Sequence, residues 1–213
     1  MKNIRDILSA NSVIPVVVLE RVEDTAPLCE ALLEGGIRAI EITLRTAAAA
    51  ACIGEAARSF PDMTVGAGTV MTADQVAMVK DLGADFGVSP GATAALLEAV
   101  DDHGLAFLPG GATVSEFMTN AAAGYSVQKF FPAEPSGGSA FLKSIASPLA
   151  DLSFCPTGGV NRGNAETYLS LPNVLAVGGS WFVSAERIER GAWADISADA
   201  RDLVAQLGAG GGA

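Results

Sequence analysis

Ser126-Val127-Gln128-Lys129-Phe130-Phe131-Pro132 is a short, mostly apolar run that ends at a proline. Similar β-rich runs recur near Val16, Ile42, Val65, Val88, Phe107, Phe154 and Leu175, and each is followed by a longer stretch with helical spacing. Ala26, Leu28, Leu32 and Leu33 make one amphipathic face after the first run, and Val76, Val79 and Leu82 another after the third. Runs that are continuously apolar rather than alternating imply strands buried on both faces, and a helix between successive strands makes them parallel. These strand-helix units are expected to close into an α/β (β/α)8 TIM barrel, a single domain over residues 1–213 with a short N-terminal helix. The competing open doubly wound sheet carries a nucleotide fingerprint after its first strand. Here Gly66-Ala67-Gly68 lacks the third glycine and follows the third strand. Thr72, Thr113 and Asn161 are expected helix N-caps, and Gly35-Gly36, Gly83 and Gly104 are expected to close helices.

The chain has 213 residues, half of them apolar, which suits one domain with a large core. Thirteen basic against 24 acidic side chains give a net charge of −11, so no general attraction to nucleic acid or anionic membrane is expected. An anionic substrate needs a local trap. Cys29, Cys52 and Cys155 sit in apolar surroundings without regular spacing, which reads as reduced thiols of a cytoplasmic protein. The apolar run from Val13 to Leu19 is broken by Pro15, is too short to span a membrane and has no secretory cleavage pattern. The tail from Gly208 to Ala213 offers no side chains to pack and is expected to be mobile.

A barrel gathers its chemistry at the C-terminal ends of its strands. Here those ends read Glu41-Ile42-Thr43-Leu44-Arg45-Thr46, Gly66-Ala67-Gly68-Thr69, Val88-Ser89-Pro90-Gly91, Leu108-Pro109-Gly110-Gly111, Lys129-Phe130-Phe131-Pro132, Pro156-Thr157-Gly158-Gly159 and Gly178-Gly179-Ser180. Of the four lysines, Lys2, Lys80 and Lys143 fall at the N-terminus or on predicted helices, and Lys129 alone falls at a strand end. Burial strips an ammonium of its hydration and favours the free amine, which attacks a carbonyl to form an imine; the protonated imine then withdraws electrons from the adjacent carbon. The alternative is a lysine that snorkels to solvent.

Alternation sends Glu41, Thr43 and Arg45 to one face of the second strand and Ile42 and Leu44 to the other. Glu41 can then reach the barrel centre and exchange protons there; the alternative is a Glu41–Arg45 ion pair in the mouth. Burial favours the neutral amine of Lys129, whereas an ionised Glu41 beside it favours the ammonium, so the two form one coupled system. Thr157-Gly158-Gly159 and Gly178-Gly179-Ser180 read as a phosphate cradle, because paired glycines let backbone N–H groups approach an anion, with a helix N-terminus adding its dipole. Tight strand-helix turns are the alternative. His103, the single histidine, is expected on the surface at the opposite end of the barrel, and no Ser/His/Asp or metal site can be built from it.

Taken in order, these motifs, with Val13-Ile14-Pro15-Val16 before them, resemble the 2-keto-3-deoxy-6-phosphogluconate (KDPG) and 4-hydroxy-2-oxoglutarate (KHG) aldolase family over nearly the whole chain. The resemblance implies a class I aldolase that cleaves KDPG to pyruvate and glyceraldehyde 3-phosphate, with Lys129 as the Schiff-base lysine and Glu41 as the proton-transfer residue. It implies that Arg45, Thr69 and Pro90 line the pyruvyl pocket, that Phe131 packs against it, and that Thr157, Gly158, Gly159, Gly179 and Ser180 hold the phosphate end. It further implies no metal or organic cofactor, and a homotrimer. Thr157 and Ser180-Trp181 favour the gluconate-derived substrate, since the related enzyme for the galactonate-derived isomer usually lacks them. Ala112 departs from the serine of many members, which puts the role of that loop in doubt. Two alternatives stay open: the same site acting mainly on 4-hydroxy-2-oxoglutarate or decarboxylating oxaloacetate, and a barrel that binds a phosphorylated metabolite without turnover.

Overall fold

The fold comes from a computed structural model that describes residues 3–208. Lys2 and the tail beyond Gly208 lie outside the described residues. A short helix, α1 (Ile4–Ser9), precedes β1 (Val13–Val17), as expected. Helix and strand then alternate through α2 (Thr25–Glu34), β2 (Ala39–Thr43), α3 (Ala49–Ser59), β3 (Thr64–Gly68), α4 (Ala73–Asp81), β4 (Phe86–Val88) and α5 (Ala94–His103). The second half runs β5 (Ala106–Leu108), β6 (Gly110–Gly111), α6 (Val114–Ala122), β7 (Val127–Phe130), α7 (Gly138–Ile145), β8 (Ser153–Pro156), α8 (Ala165–Leu169), β9 (Val177–Gly179), α9 (Ala185–Glu189) and α10 (Trp193–Gly208).

The strands pair in parallel throughout, forming a six-stranded sheet in the order β5-β4-β3-β2-β1-β9 and a three-stranded sheet β6-β7-β8. The fifth expected strand is therefore two pieces. Pro109 separates them because proline has no N–H for the ladder, although its carbonyl still accepts from Lys129 N–H at 2.9 Å. Isolated parallel bridges join Phe154 to Val174 and Thr157 to Gly178, between β8 and β9.

Period-two alternation sorts the strand side chains into two apolar layers. Ile40 and Ile42 pack outward with Leu28 and Leu32 of α2 and Ile53 of α3. Ile14, Ala39, Phe86, Val88, Leu108, Val127, Cys155 and Ala176 form a separate inner cluster, to which α1 adds Ile7 and Leu8. Arg5 on α1 donates to Ser153 Oγ, at the start of β8, at 3.1 Å. The helix thus lies at the N-terminal ends of the strands and leaves their C-terminal ends free for chemistry.

Thr72 and Thr113 are N-caps as expected, each closing a capping box with Gln75 or Glu116. Asn161 is not a cap: its Oδ1 accepts from Gly163 N–H at 2.9 Å, which turns the chain before the helix, and Asn164 takes the N-cap position of α8. Among the described residues no helix is long and apolar enough to cross a membrane. The three cysteines are free and buried.

Candidate active site

β7 carries Lys129 between Gly110 of β6 and Cys155 of β8. β2 carries Glu41 between Val16 of β1 and Gly66 of β3. The two side chains meet across the inside of the sheets: Lys129 Nζ donates to Glu41 Oε1 at 3.4 Å, and each residue is only 3% exposed. The lysine does not snorkel. Nζ also lies 5.2 Å from the centroid of the Phe131 ring, within cation–π reach.

The alternative Glu41–Arg45 ion pair does not form. β2 ends at Thr43, and Arg45 N–H donates back to Thr43 O at 2.8 Å, so the chain turns and strand alternation no longer governs Arg45. The exposed guanidinium instead donates from Nε to Thr69 Oγ1 at 3.2 Å. Thr69 sits at φ +61°, a left-handed conformation that costs a non-glycine residue roughly 1–3 kcal/mol and clusters at ligand sites.

Gly68 makes room for the acid. A Cβ at that position would lie 2.2 Å from Glu41 Oε1. Gly68→Ala is therefore expected to displace the carboxylate from the amine and lower kcat by about 10²-fold, the scale of an ångström-sized misplacement of a catalytic group. Steady-state kinetics alongside an unchanged circular dichroism spectrum checks this; a near-native kcat would show that Glu41 does not need this seat.

Two further groups flank Lys129: Cys155, its register partner on β8, and Gln128, the residue before it on β7. The Cys155 thiol is pushed up to about 12 by burial, so it stays protonated and does not compete as a nucleophile. On the other face of β7, Gln128 Nε2 donates to Phe117 O and Tyr125 O, each at 2.9 Å, while Asn120 Nδ2 donates to Gln128 Oε1 at 3.0 Å and to Gly110 O at 3.3 Å. This buried, satisfied network holds β6 and β7 in register behind the lysine. A glutamine inside an apolar strand was its only sequence signal.

The second half of the candidate site lies at the ends of β8 and β9. Gly158 and Gly159 have φ of +97° and +83°. A Cβ at Gly178 would fall 2.3 Å from Thr157 Oγ1, so the two strand ends touch. Ser180 follows β9 and is exposed. Phe131 links the halves, because a Cβ at Gly158 would sit 3.3 Å from its ring. The partly buried Pro90 backs onto Gly110, the register partner of Lys129: a Cβ at Gly110 would meet the Pro90 carbonyl at 2.4 Å. α8 and α9 span five residues each, so backbone N–H groups rather than a helix dipole are left to attract an anion. His103 is exposed at the end of α5, and Lys80 and Lys143 lie on α4 and α7, away from this mouth.

Comparison with known proteins agrees with the geometry. The family model described as KDPG and KHG aldolase matches residues 4–198. The 2-dehydro-3-deoxy-phosphogluconate aldolase of Pseudoalteromonas atlantica is 46% identical over 94% of each chain, and the KHG/KDPG aldolase of Escherichia coli is 43% identical over 93% of each. A crystal structure of the Legionella pneumophila KDPG aldolase, with pyruvate captured as a covalent carbinolamine intermediate, superposes with a TM-score of 0.92. It is 44% identical and covers 93% of this chain and 97% of that one. The chain belongs to the KDPG and KHG aldolase family.

Proposed function

We propose that this protein is a class I aldolase that cleaves KDPG to pyruvate and glyceraldehyde 3-phosphate through an imine on Lys129. The observation that carries the reading is the buried Lys129–Glu41 contact at 3.4 Å, in a chain 44% identical to an enzyme that captured pyruvate covalently. Lys129 Nζ adds to the C2 ketone, and Glu41 moves the protons that turn the carbinolamine into a protonated imine with loss of water. The proton of the C4 hydroxyl leaves as the C3–C4 bond breaks, and the electron pair of that bond passes into the iminium, giving an enamine and free glyceraldehyde 3-phosphate. Protonation of the enamine at carbon and addition of water release pyruvate and the amine. The iminium is the electron sink, so the steps as written call on no metal.

Arg45, Thr69 and Pro90 line the pocket for the pyruvyl part of the substrate, and Phe131 packs against it. Thr157, Gly158, Gly159, Gly179 and Ser180 hold the phosphate. Fixing a flexible sugar acid at both anionic ends supplies the orientation that bond cleavage needs. We read the two sheets as arcs of one closed (β/α)8 barrel, a reading supported by the bridges between β8 and β9 and by the hydrogen bond across Pro109. On family resemblance alone the assembly is a homotrimer and the compartment the cytoplasm. The E. coli relative is named for both substrates, and 4-hydroxy-2-oxoglutarate presents the same pyruvyl end, so a second activity on that substrate is part of the reading.

Incubation with pyruvate and sodium borohydride tests it. The expected result is a pyruvate-dependent loss of activity with a reduced adduct on the peptide that contains Lys129. An unmodified Lys129 peptide after exhaustive reduction overturns the imine mechanism.

A further inference from the structure

We infer that Asn161 and Asn164, which the fold leaves outside α8, are positioning residues that aim backbone N–H groups at the substrate phosphate; this rests on the function proposed above. Asn161 Nδ2 and Asn164 Nδ2 both donate to Gly159 O, each at 3.2 Å. The preceding carbonyl, Gly158 O, accepts from Glu134 N–H at 3.0 Å. Both peptides are trans, and in a trans peptide the C=O and N–H bonds point in opposite directions. Holding Gly158 O therefore directs Gly159 N–H away from Glu134, and holding Gly159 O directs Val160 N–H away from the asparagines. Among the described residues neither N–H meets a protein acceptor.

The amides are themselves locked. Asn164 Oδ1 accepts from Asn161 N–H at 2.7 Å, and Asn161 Oδ1 accepts from Gly163 N–H at 2.9 Å, so each side chain uses its oxygen on one neighbour and its nitrogen on Gly159. From the other side, the Glu134 methylenes pack so closely that a Cβ at Gly159 would lie 2.6 Å from them, and Tyr168 O–H on α8 donates to the Glu134 carboxylate. The reason for this bracing is physical. Two successive glycines at positive φ have little intrinsic preference for one shape, and donors that must be ordered by the ligand bind it less well than donors already in place. Asn161 and Asn164 remove that freedom without touching the reacting carbons.

Asn161→Ala, Asn164→Ala and the double variant test this, assayed with KDPG and with unphosphorylated 4-hydroxy-2-oxoglutarate. Either amide alone still holds Gly159 O, so each single variant is expected to raise KM for KDPG about twofold, and the double variant about tenfold, the scale of a lost hydrogen bond to a charged group. Turnover of 4-hydroxy-2-oxoglutarate is expected to stay within about twofold, because it carries no phosphate to lose that bond. Asn161→Ser with Asn164→Ser keeps a short neutral acceptor at each position and removes both amide donors to Gly159 O, and is expected to show the same split as the double alanine variant if that variant does not fold. Equal losses on both substrates, or none on KDPG, overturn the proposal. Borohydride trapping of pyruvate on the same proteins separates the two failures. Trapping without a KDPG-selective loss sinks only the role of the asparagines, whereas no trapping even in the unmodified protein sinks the aldolase reading and this proposal with it.

Discussion

Lys129→Met is expected to lower KDPG cleavage by roughly 10⁴-fold or more, because it removes the amine on which the proposed imine forms while keeping most of the side-chain volume. Pyruvate with borohydride should then label no peptide. The same substitution strands the Glu41 carboxylate, which is 3% exposed and hydrogen-bonded to Lys129 Nζ. Breaking a buried ion pair by removing one partner typically costs about 3–5 kcal/mol, whereas replacing both partners by neutral groups is often harmless. Lys129→Met is therefore expected to unfold at lower urea concentration than the unmodified chain, and Lys129→Met with Glu41→Gln to recover most of the difference. Residual cleavage within about 10²-fold of the unmodified enzyme would mean that acid–base help and orientation carry the rate without an imine.

Elements whose local chemistry decides them were legible in the sequence. Thr72 and Thr113 sit three residues before Gln75 and Glu116, and that spacing suffices for a capping box whatever the rest of the chain does. Lys129 and Glu41 were legible because alternation along a fully buried strand sends a charged side chain inward with nowhere else to go. Arg45 marks the limit of that reading: alternation holds only while the strand lasts, and after the turn at Thr43 the guanidinium donates to Thr69, so the alternative pair with Glu41 does not form. Asn161 looked like a cap because asparagine favours caps and Asx turns alike. What separates the two is the position of Gly163 and Asn164 around it, a matter of loop geometry. The network of Gln128 and Asn120 needed the register of β6 against β7, which the break at Pro109 concealed.

Glu41→Gln is expected to lower kcat for KDPG by about 10²–10³-fold, the usual worth of a positioned proton-transfer group, with little change in KM. The amide has nearly the shape of the carboxylate, and its oxygen can still accept from Lys129 Nζ, so the seat beside Gly68 and the position of the amine are preserved. What it loses is the ability to take up and return a proton as the carbinolamine forms and collapses. Imine formation should therefore slow without being abolished: prolonged incubation with pyruvate and borohydride still labels Lys129, but with a rate constant reduced in step with kcat. This separates Glu41 from Lys129, whose loss leaves nothing to label at any time. It also separates a proton carrier from a mere ion-pair partner, since the loss of a partner alone would leave kcat nearly unchanged. A kcat within about threefold of the unmodified enzyme would assign the proton transfers to another group or to water, and leave Glu41 only the task of holding the amine in place.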